Sequence, residues 1–280
     1  MRSRYLNCLG REIHVTEWGD PRTPTVIAWH GLARSSRDFD DFAAAISHRW
    51  HLVCPDTLGR GLSQWAIDPA REYCLSFYVE QAEALLDQLG LTKVHWVGTS
   101  MGGAIGTLAA ATGLRGRIKR LVLNDNGPEL AAPALERIKS YAGQPPSFAT
   151  VSELETYFRE IYACFGLLSD TQWRHLTETS LRRLPDGRVT THYDPALVQQ
   201  FDHHPDDYQL WNAWDQLDLP VLCLRGEDST LLTAETAQAM RERGPRAAVA
   251  LIPGCGHAPA LNTPEQIGLI ERFLSADQTP

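Results

Sequence analysis

The apolar positions of the chain fall into short unbroken runs, each followed by a stretch with helical spacing. Thr25 to His30 (TVIAWH) is such a run and ends in the turn-forming GLARSS; behind it Phe39, Phe42, Ala43 and Ile46 recur at the interval of one helix face. Trp50 to Asp56 (WHLVCPD) is a second run, stopped by Pro55. Ser76 to Gly90 then reads as a helix with a serine N-cap and a glycine stop. Lys93 to Gly98 (KVHWVG), the helical GGAIGTLAAAT and the run Arg120 to Asp125 (RLVLND) continue the alternation. Strand and helix alternating in this way predict an α/β fold, a mostly parallel sheet with helices on both faces.

The alternation lapses after Gly127. From Pro128 to Ala213 the pattern is largely helical, rich in Trp, Tyr and charge, and broken at GQPPSF and PDGR. Strand-like runs return at Pro220 to Gly226 and Ala247 to Gly254, and PEQIGLIERFL closes the chain as a helix. The expected organisation is therefore a core made of residues 1–127 and 214–280, interrupted by a helical insertion over 128–213.

Composition narrows the classes. A formal net charge of −8 in 280 residues supplies no basic face for nucleic acid or an anionic membrane. No apolar stretch reaches the length of a spanning helix, and the basic N-terminus lacks the apolar segment of a secretory signal. Cys8, Cys54, Cys74, Cys164, Cys223 and Cys255 are scattered without CxxC spacing, the pattern of reduced thiols, so a cytoplasmic protein is expected. No metal or cofactor is expected: zinc-type spacings are missing, and no G-x-G-x-x-G follows an early strand.

Candidate chemistry centres on GTSMG, Gly98 to Gly102, a G-x-S-x-G between a predicted strand and a predicted helix. A serine on that sharp turn needs flanking residues without side chains, and its oxygen is lifted to a helix N-terminus, where developing negative charge is favoured. Ser100 needs a base. His257, in the glycine-bracketed GCGHAP after an apolar strand, lies on the sheet edge where active sites gather. The HG after the first apolar run suggests that Gly31 allows a turn presenting the Leu32 N–H. With the Met101 N–H it would form an oxyanion hole, with His30 orienting the loop.

These motifs (HG after a strand, PDTLGRGLS, GTSMGG, RLVLNDNGP, VLCLRGEDS and GCGHAP, in that order) resemble the α/β-hydrolase superfamily across almost the whole chain. LGRGLSQW and LNDNGP are similar to a bacterial subgroup described as hydrolases or esterases. The resemblance implies that the insertion is a cap following the sixth strand. It leaves two candidates for the acid that orients His257. Asp228 follows the seventh strand, where most relatives carry it, but stands one residue early, with Ser229 at the customary position. Asp125 ends the sixth strand, where haloalkane dehalogenases carry theirs, and is the favoured choice. A serine nucleophile disfavours chemistry through an alkyl-enzyme ester.

The expected activity is hydrolysis of a small-to-medium, mainly apolar carboxylic ester or lactone through an acyl-enzyme, with that small molecule as partner. Most of Tyr141, Phe148, Tyr157, Phe158, Tyr162, Phe165, Trp173 and Tyr193 should pack the cap on itself, a few facing Ser100. Tyr193 to Asp207 is expected at the surface, with His203 and His204 solvated. One alternative is a C–C bond hydrolase acting on a vinylogous diketone, with Arg137, Lys139 or Arg159 holding a second carboxylate. Another is a non-catalytic receptor on the same scaffold.

Overall fold

The computed structural model describes residues 1–130 and 132–276, without side-chain detail at 132–134, 137 and 141. Eleven strands occur among these residues. Eight form one sheet: β1 (Arg2–Cys8), β2 (Arg11–Trp18), β3 (Thr25–Trp29), β4 (His51–Pro55), β5 (Val94–Thr99), β6 (Ile118–Asn124), β10 (Val221–Gly226) and β11 (Ala248–Ile252). Their spatial order is β1-β2-β4-β3-β5-β6-β10-β11. All neighbours from β4 to β11 run parallel, while β2 is antiparallel to both β1 and β4.

The parallel strands read as unbroken apolar runs because helices cover both faces. Side chains alternate between those faces with period two. On β3, Ile27 and Trp29 enter one buried cluster with Tyr78, Leu85 and Ile105, whereas Val26 and Ala28 enter the other with Phe39, Phe42 and Ile270. Trp29 and Trp96 stack across β3 and β5, ring centroids 5.2 Å apart. The antiparallel hairpin β1–β2 lies outside the predicted alternation: its outer strand carries Arg2, Arg4 and Asn7 and buries little, while β2 is buried from Ile13 to Glu17. Ser76 lies within the helix Leu75–Gln88 rather than capping it; the N-cap is Cys74.

The insertion follows β6, the sixth strand, but is not wholly helical. The strands β7 (Ser147–Phe148), β8 (Leu181–Arg183) and β9 (Val189–Thr191) form a separate sheet in the order β7-β9-β8. They were missed because strands of two or three residues are too short to show a period. The helices Val151–Ile161 and Asp170–Glu178 pack with them in one small cluster around Leu154, Phe158 and Val189, whereas the helix Ala132–Ala142 places Ile138 and Ala142 in the main core. The helices at 151 and 170 each begin with a capping box, Thr150 with Glu153 and Ser169 with Gln172. The helix Trp211–Trp214 straddles the boundary expected at 213, and fully buried Trp214 belongs to the core.

Tyr193 to Asp207 divides: Asp202, His203, Pro205 and Asp206 are exposed, as expected, whereas Leu197 and Gln200 are inaccessible, and Tyr193, Asp194 and Phe201 nearly so. Its polar groups have partners in the core. Tyr73 Oη donates to Asp194 at 2.6 Å, the Leu75 N–H to Asp207 at 2.7 Å, and His204 Nε2 lies 2.8 Å from the Ala70 carbonyl oxygen.

Candidate active site

Five strand ends (β3, β5, β6, β10 and β11) and their loops converge at the C-terminal edge of the sheet. β5 delivers Ser100, with φ 53° and ψ −116°, immediately before the helix Met101–Ala111. An L-residue held at positive φ is strained, and such strain gathers at functional turns. The flanking glycines have a steric cause. A Cβ on Gly98 would lie 2.3 Å from the Gly102 carbonyl, and one on Gly102 only 2.0 Å from the Trp29 carbonyl oxygen. The elbow is thus wedged between β3 and its own helix.

His257 reaches Ser100 from the loop after β11. Its Nε2 is 2.9 Å from Ser100 Oγ and its Nδ1 is 2.8 Å from Asp125 Oδ2. With Nδ1–H donating to the carboxylate, Nε2 is left as an acceptor for the serine proton. Asp125 is fully buried at the end of β6, with φ 56°. Its other partners are the Gly226 N–H, donating to Oδ1 at 2.8 Å, and Ser229 Oγ, donating to Oδ2 at 2.5 Å. Asp228 is exposed at the cavity mouth, and its backbone N–H binds the Cys255 carbonyl. The structure therefore brings Asp125, not Asp228, against His257. Ser229 carries a signal visible in the sequence: where relatives customarily have the acid, this chain has a hydroxyl that solvates a displaced one.

Leu32 and Met101 wall a small cleft beside Ser100. Met101 is the first residue of its helix, so its N–H has no intrahelical acceptor and is free to meet an anion. Gly31 opens a turn over Leu32 and Ala33, its carbonyl oxygen accepting from the Arg34 N–H at 3.3 Å, although it is not in the left-handed region. A Cβ there would sit 3.6 Å from Ser100 Cβ, an ordinary contact, so glycine at this position keeps space open over the nucleophile. His30 is fully buried; its Nε2 accepts from the Thr57 N–H at 2.9 Å and its Nδ1 lies 2.7 Å from the Gly31 carbonyl oxygen. Burial, reinforced by the nearby Arg60 charge, pushes its pKa down to about 4 and keeps it neutral.

Ser100 and His257 open into a cavity of about 1150 Å³ between core and cap. Its apolar wall includes Ala33, Tyr162, Phe165, Leu168, Leu231 and Leu261. Of the cap rings considered, Tyr162 and Phe165 reach it, whereas Phe148, Tyr157 and Phe158 form a chain of ring contacts ending on Tyr162. Trp173 is buried under Arg159, and Tyr193 joins the main core. Tyr141 lies outside the described side chains. The cavity's cations are already paired: Arg34 with Asp38 and Arg37 with Asp40. Arg159 pairs with Glu155 and Asp170 and Lys139 with Asp202, and neither lines the cavity. Arg137 lies outside the described side chains. Among the described residues no helix is long and apolar enough to cross a membrane.

Sequence reasoning also missed Asn124, whose Nδ2 donates to Thr99 Oγ1 at 3.1 Å and to the Pro259 carbonyl at 2.9 Å, tying the serine strand to the histidine loop.

A strained serine elbow, a bonded histidine and a buried acid on a parallel sheet define a hydrolase of the α/β type. Consistently, residues 24–264 match the family model described as alpha/beta hydrolase fold, and the chain belongs to that family. It is 39% identical over 269 residues to a 3-hydroxybutyrate-oligomer hydrolase of Cupriavidus necator, covering 92% of this chain and 91% of that protein. It is 27% identical over 264 residues to a pimeloyl-[acyl-carrier protein] methyl ester esterase of Nitrosomonas europaea, covering 91% and 96%. Among solved structures, an alpha/beta hydrolase from Novosphingobium aromaticivorans superposes with a TM-score of 0.88 at 35% identity, covering 98% of each chain.

Proposed function

We propose that this hydrolase is a serine esterase acting on short, mainly apolar carboxylic esters, with oligoesters of small hydroxy acids as the substrate class. The carrying observation is the relay Ser100 Oγ–His257 Nε2 at 2.9 Å and His257 Nδ1–Asp125 at 2.8 Å, opening into an apolar cavity. Ser100 Oγ attacks the ester carbonyl as His257 takes its proton. The tetrahedral oxyanion sits against the Leu32 and Met101 N–H groups. His257 returns the proton to the leaving alcohol, and an acyl-enzyme remains. A water deprotonated by the same imidazole releases the acid. No step requires a cofactor.

Likeness to the 3-hydroxybutyrate-oligomer hydrolase supports the oligoester class. The cavity supports it too: at about 1150 Å³ it exceeds the roughly 300–1,000 Å³ usual for small-molecule sites, leaving room beyond one short acyl group. The carbon–carbon reading lacks this support, because Lys139 and Arg159, two of the cations considered for a second carboxylate, are paired outside the cavity.

The test is a substrate panel: p-nitrophenyl esters, 3-hydroxybutyrate dimer and trimer, and a vinylogous diketone ring-fission product. Turnover of the esters, preference for the oligomers, and fluorophosphonate labelling lost in Ser100→Ala are expected. Turnover of the diketone alone, or a wild type that does not label, would overturn the proposal.

A further inference from the structure

The Gly59–Arg60–Gly61 loop turns a fully buried arginine into the core directly behind the two segments that wall the cleft beside Ser100. Both glycines have positive φ. A Cβ on Gly59 would meet Tyr73 Oη at 2.3 Å, and one on Gly61 would meet Asp56 Oδ2 at 2.2 Å. Asp56 pins the loop by accepting from the Leu62 and Ser36 N–H groups at 2.9 and 2.7 Å. Arg60 is thereby driven inward.

Every nitrogen of its guanidinium is engaged. Nε donates to the Leu32 carbonyl at 2.8 Å, and Nη1 to the Leu58 carbonyl and to Tyr78 Oη, both at 2.7 Å. Nη2 points at Met101 Sδ, 3.6 Å away. The Tyr73 and Tyr78 rings flank the plane, 5.3 and 5.2 Å from Cζ. Among the described residues no carboxylate forms an ion pair with it.

A buried charge without a counter-ion is expensive, and a neutral side chain could fill the same space at less cost. The fork is also specific in what it joins. Leu32 follows β3 and Met101 follows β5, and Arg60 contacts both from one rigid plane. We infer that Arg60 is the positioning residue of the oxyanion hole: it fixes the spacing of the Leu32 and Met101 segments and places a permanent positive charge behind the developing oxyanion. In a low-dielectric interior that charge stabilises the tetrahedral intermediate more than the neutral ester, so it acts on the transition state and not on ground-state binding.

The inference rests on the serine-esterase reading, and its test keeps the two apart. Wild type, Arg60→Met, Arg60→Lys and Tyr78→Phe are assayed for kcat and KM on p-nitrophenyl butyrate, with folding checked by circular dichroism. Arg60→Met should lower kcat by about 10- to 100-fold, less than the 10²–10³ of deleting an oxyanion donor outright, with KM within threefold. The rate of phosphonylation by a fluorophosphonate should fall in parallel. Arg60→Lys, which keeps the charge but loses the fork, should recover part of the loss. Tyr78→Phe, which frees one donor, should lower kcat by less than Arg60→Met and leave KM unchanged. The inference is overturned if folded Arg60→Met keeps kcat within twofold of wild type, or if its loss lies wholly in KM. Should Arg60→Met fail to fold, the same criteria apply to Arg60→Lys. A wild type that neither hydrolyses nor labels would instead remove the esterase reading and this inference with it.

Discussion

Replacing Asp125 by asparagine changes one atom and should nearly abolish turnover. The carboxylate accepts three hydrogen bonds in a fully buried site: Gly226 N–H on Oδ1, and Ser229 Oγ–H and His257 Nδ1–H on Oδ2. An amide cannot accept at both positions. If its NH₂ faced Gly226, two donors would oppose each other in the interior, which costs roughly 1–3 kcal/mol for each unsatisfied group. The NH₂ therefore turns toward His257, whose Nδ1 must become the acceptor. The ring proton then sits on Nε2, which donates to Ser100 Oγ and cannot receive its proton. The same tautomer switch in a serine protease lowers kcat about 10⁴-fold, or about 5 kcal/mol of barrier. Asp228→Asn touches an exposed side chain and should leave kcat within threefold. Initial rates on p-nitrophenyl butyrate, with thermal melts to show that both variants fold, decide the matter. Near-wild-type turnover by Asp125→Asn beside a large loss in Asp228→Asn would refute the reasoning.

Three further outcomes follow from other contacts. Ser229→Ala removes a 2.5 Å hydrogen bond to a buried carboxylate and should destabilise the fold by about 1.5–3 kcal/mol, measured as a shift of the urea midpoint at constant slope; a shift below 0.5 kcal/mol would contradict it. Gly102→Ala forces a Cβ to 2.0 Å from a backbone oxygen, whereas Gly31→Ala meets only Ser100 Cβ at 3.6 Å. The first should yield little folded protein, and the second should fold normally but discriminate against bulky acyl groups, read from kcat/KM along an acyl series. The third concerns pH. His30 titrates near 4 when folded, against 6.5 in the unfolded chain, so its contribution is complete above pH 6.5 and is lost as pH falls toward 4. With each pH unit of separation worth about 1.4 kcal/mol, this group alone removes about 2–3 kcal/mol between pH 7 and 4.5. Urea midpoints at both pH values should show a shallower loss in His30→Gln; equal slopes would assign the acid sensitivity elsewhere.

The sequence by itself determined the alternating core and the serine elbow, because those depend on neighbours a few residues apart. Apolar runs record strands buried on both faces, and the glycines around Ser100 record contacts that a side chain would violate by more than an ångström. Strand content in the cap escaped because its strands are too short to carry a period. What only the tertiary structure decided was polar pairing across long separations. Asp125 and His257 are 132 residues apart, and Arg60 and Met101 are 41 apart. Two aspartates at neighbouring strand ends look alike in their local pattern, and only the resemblance favoured Asp125. They differ once the register of β6 against β10 buries one beside Gly226 and Ser229 and leaves the other in solvent. Burial makes an unpaired charge costly, so the folded interior, not the local pattern, selects which acid supports the histidine and which cation stands behind the serine.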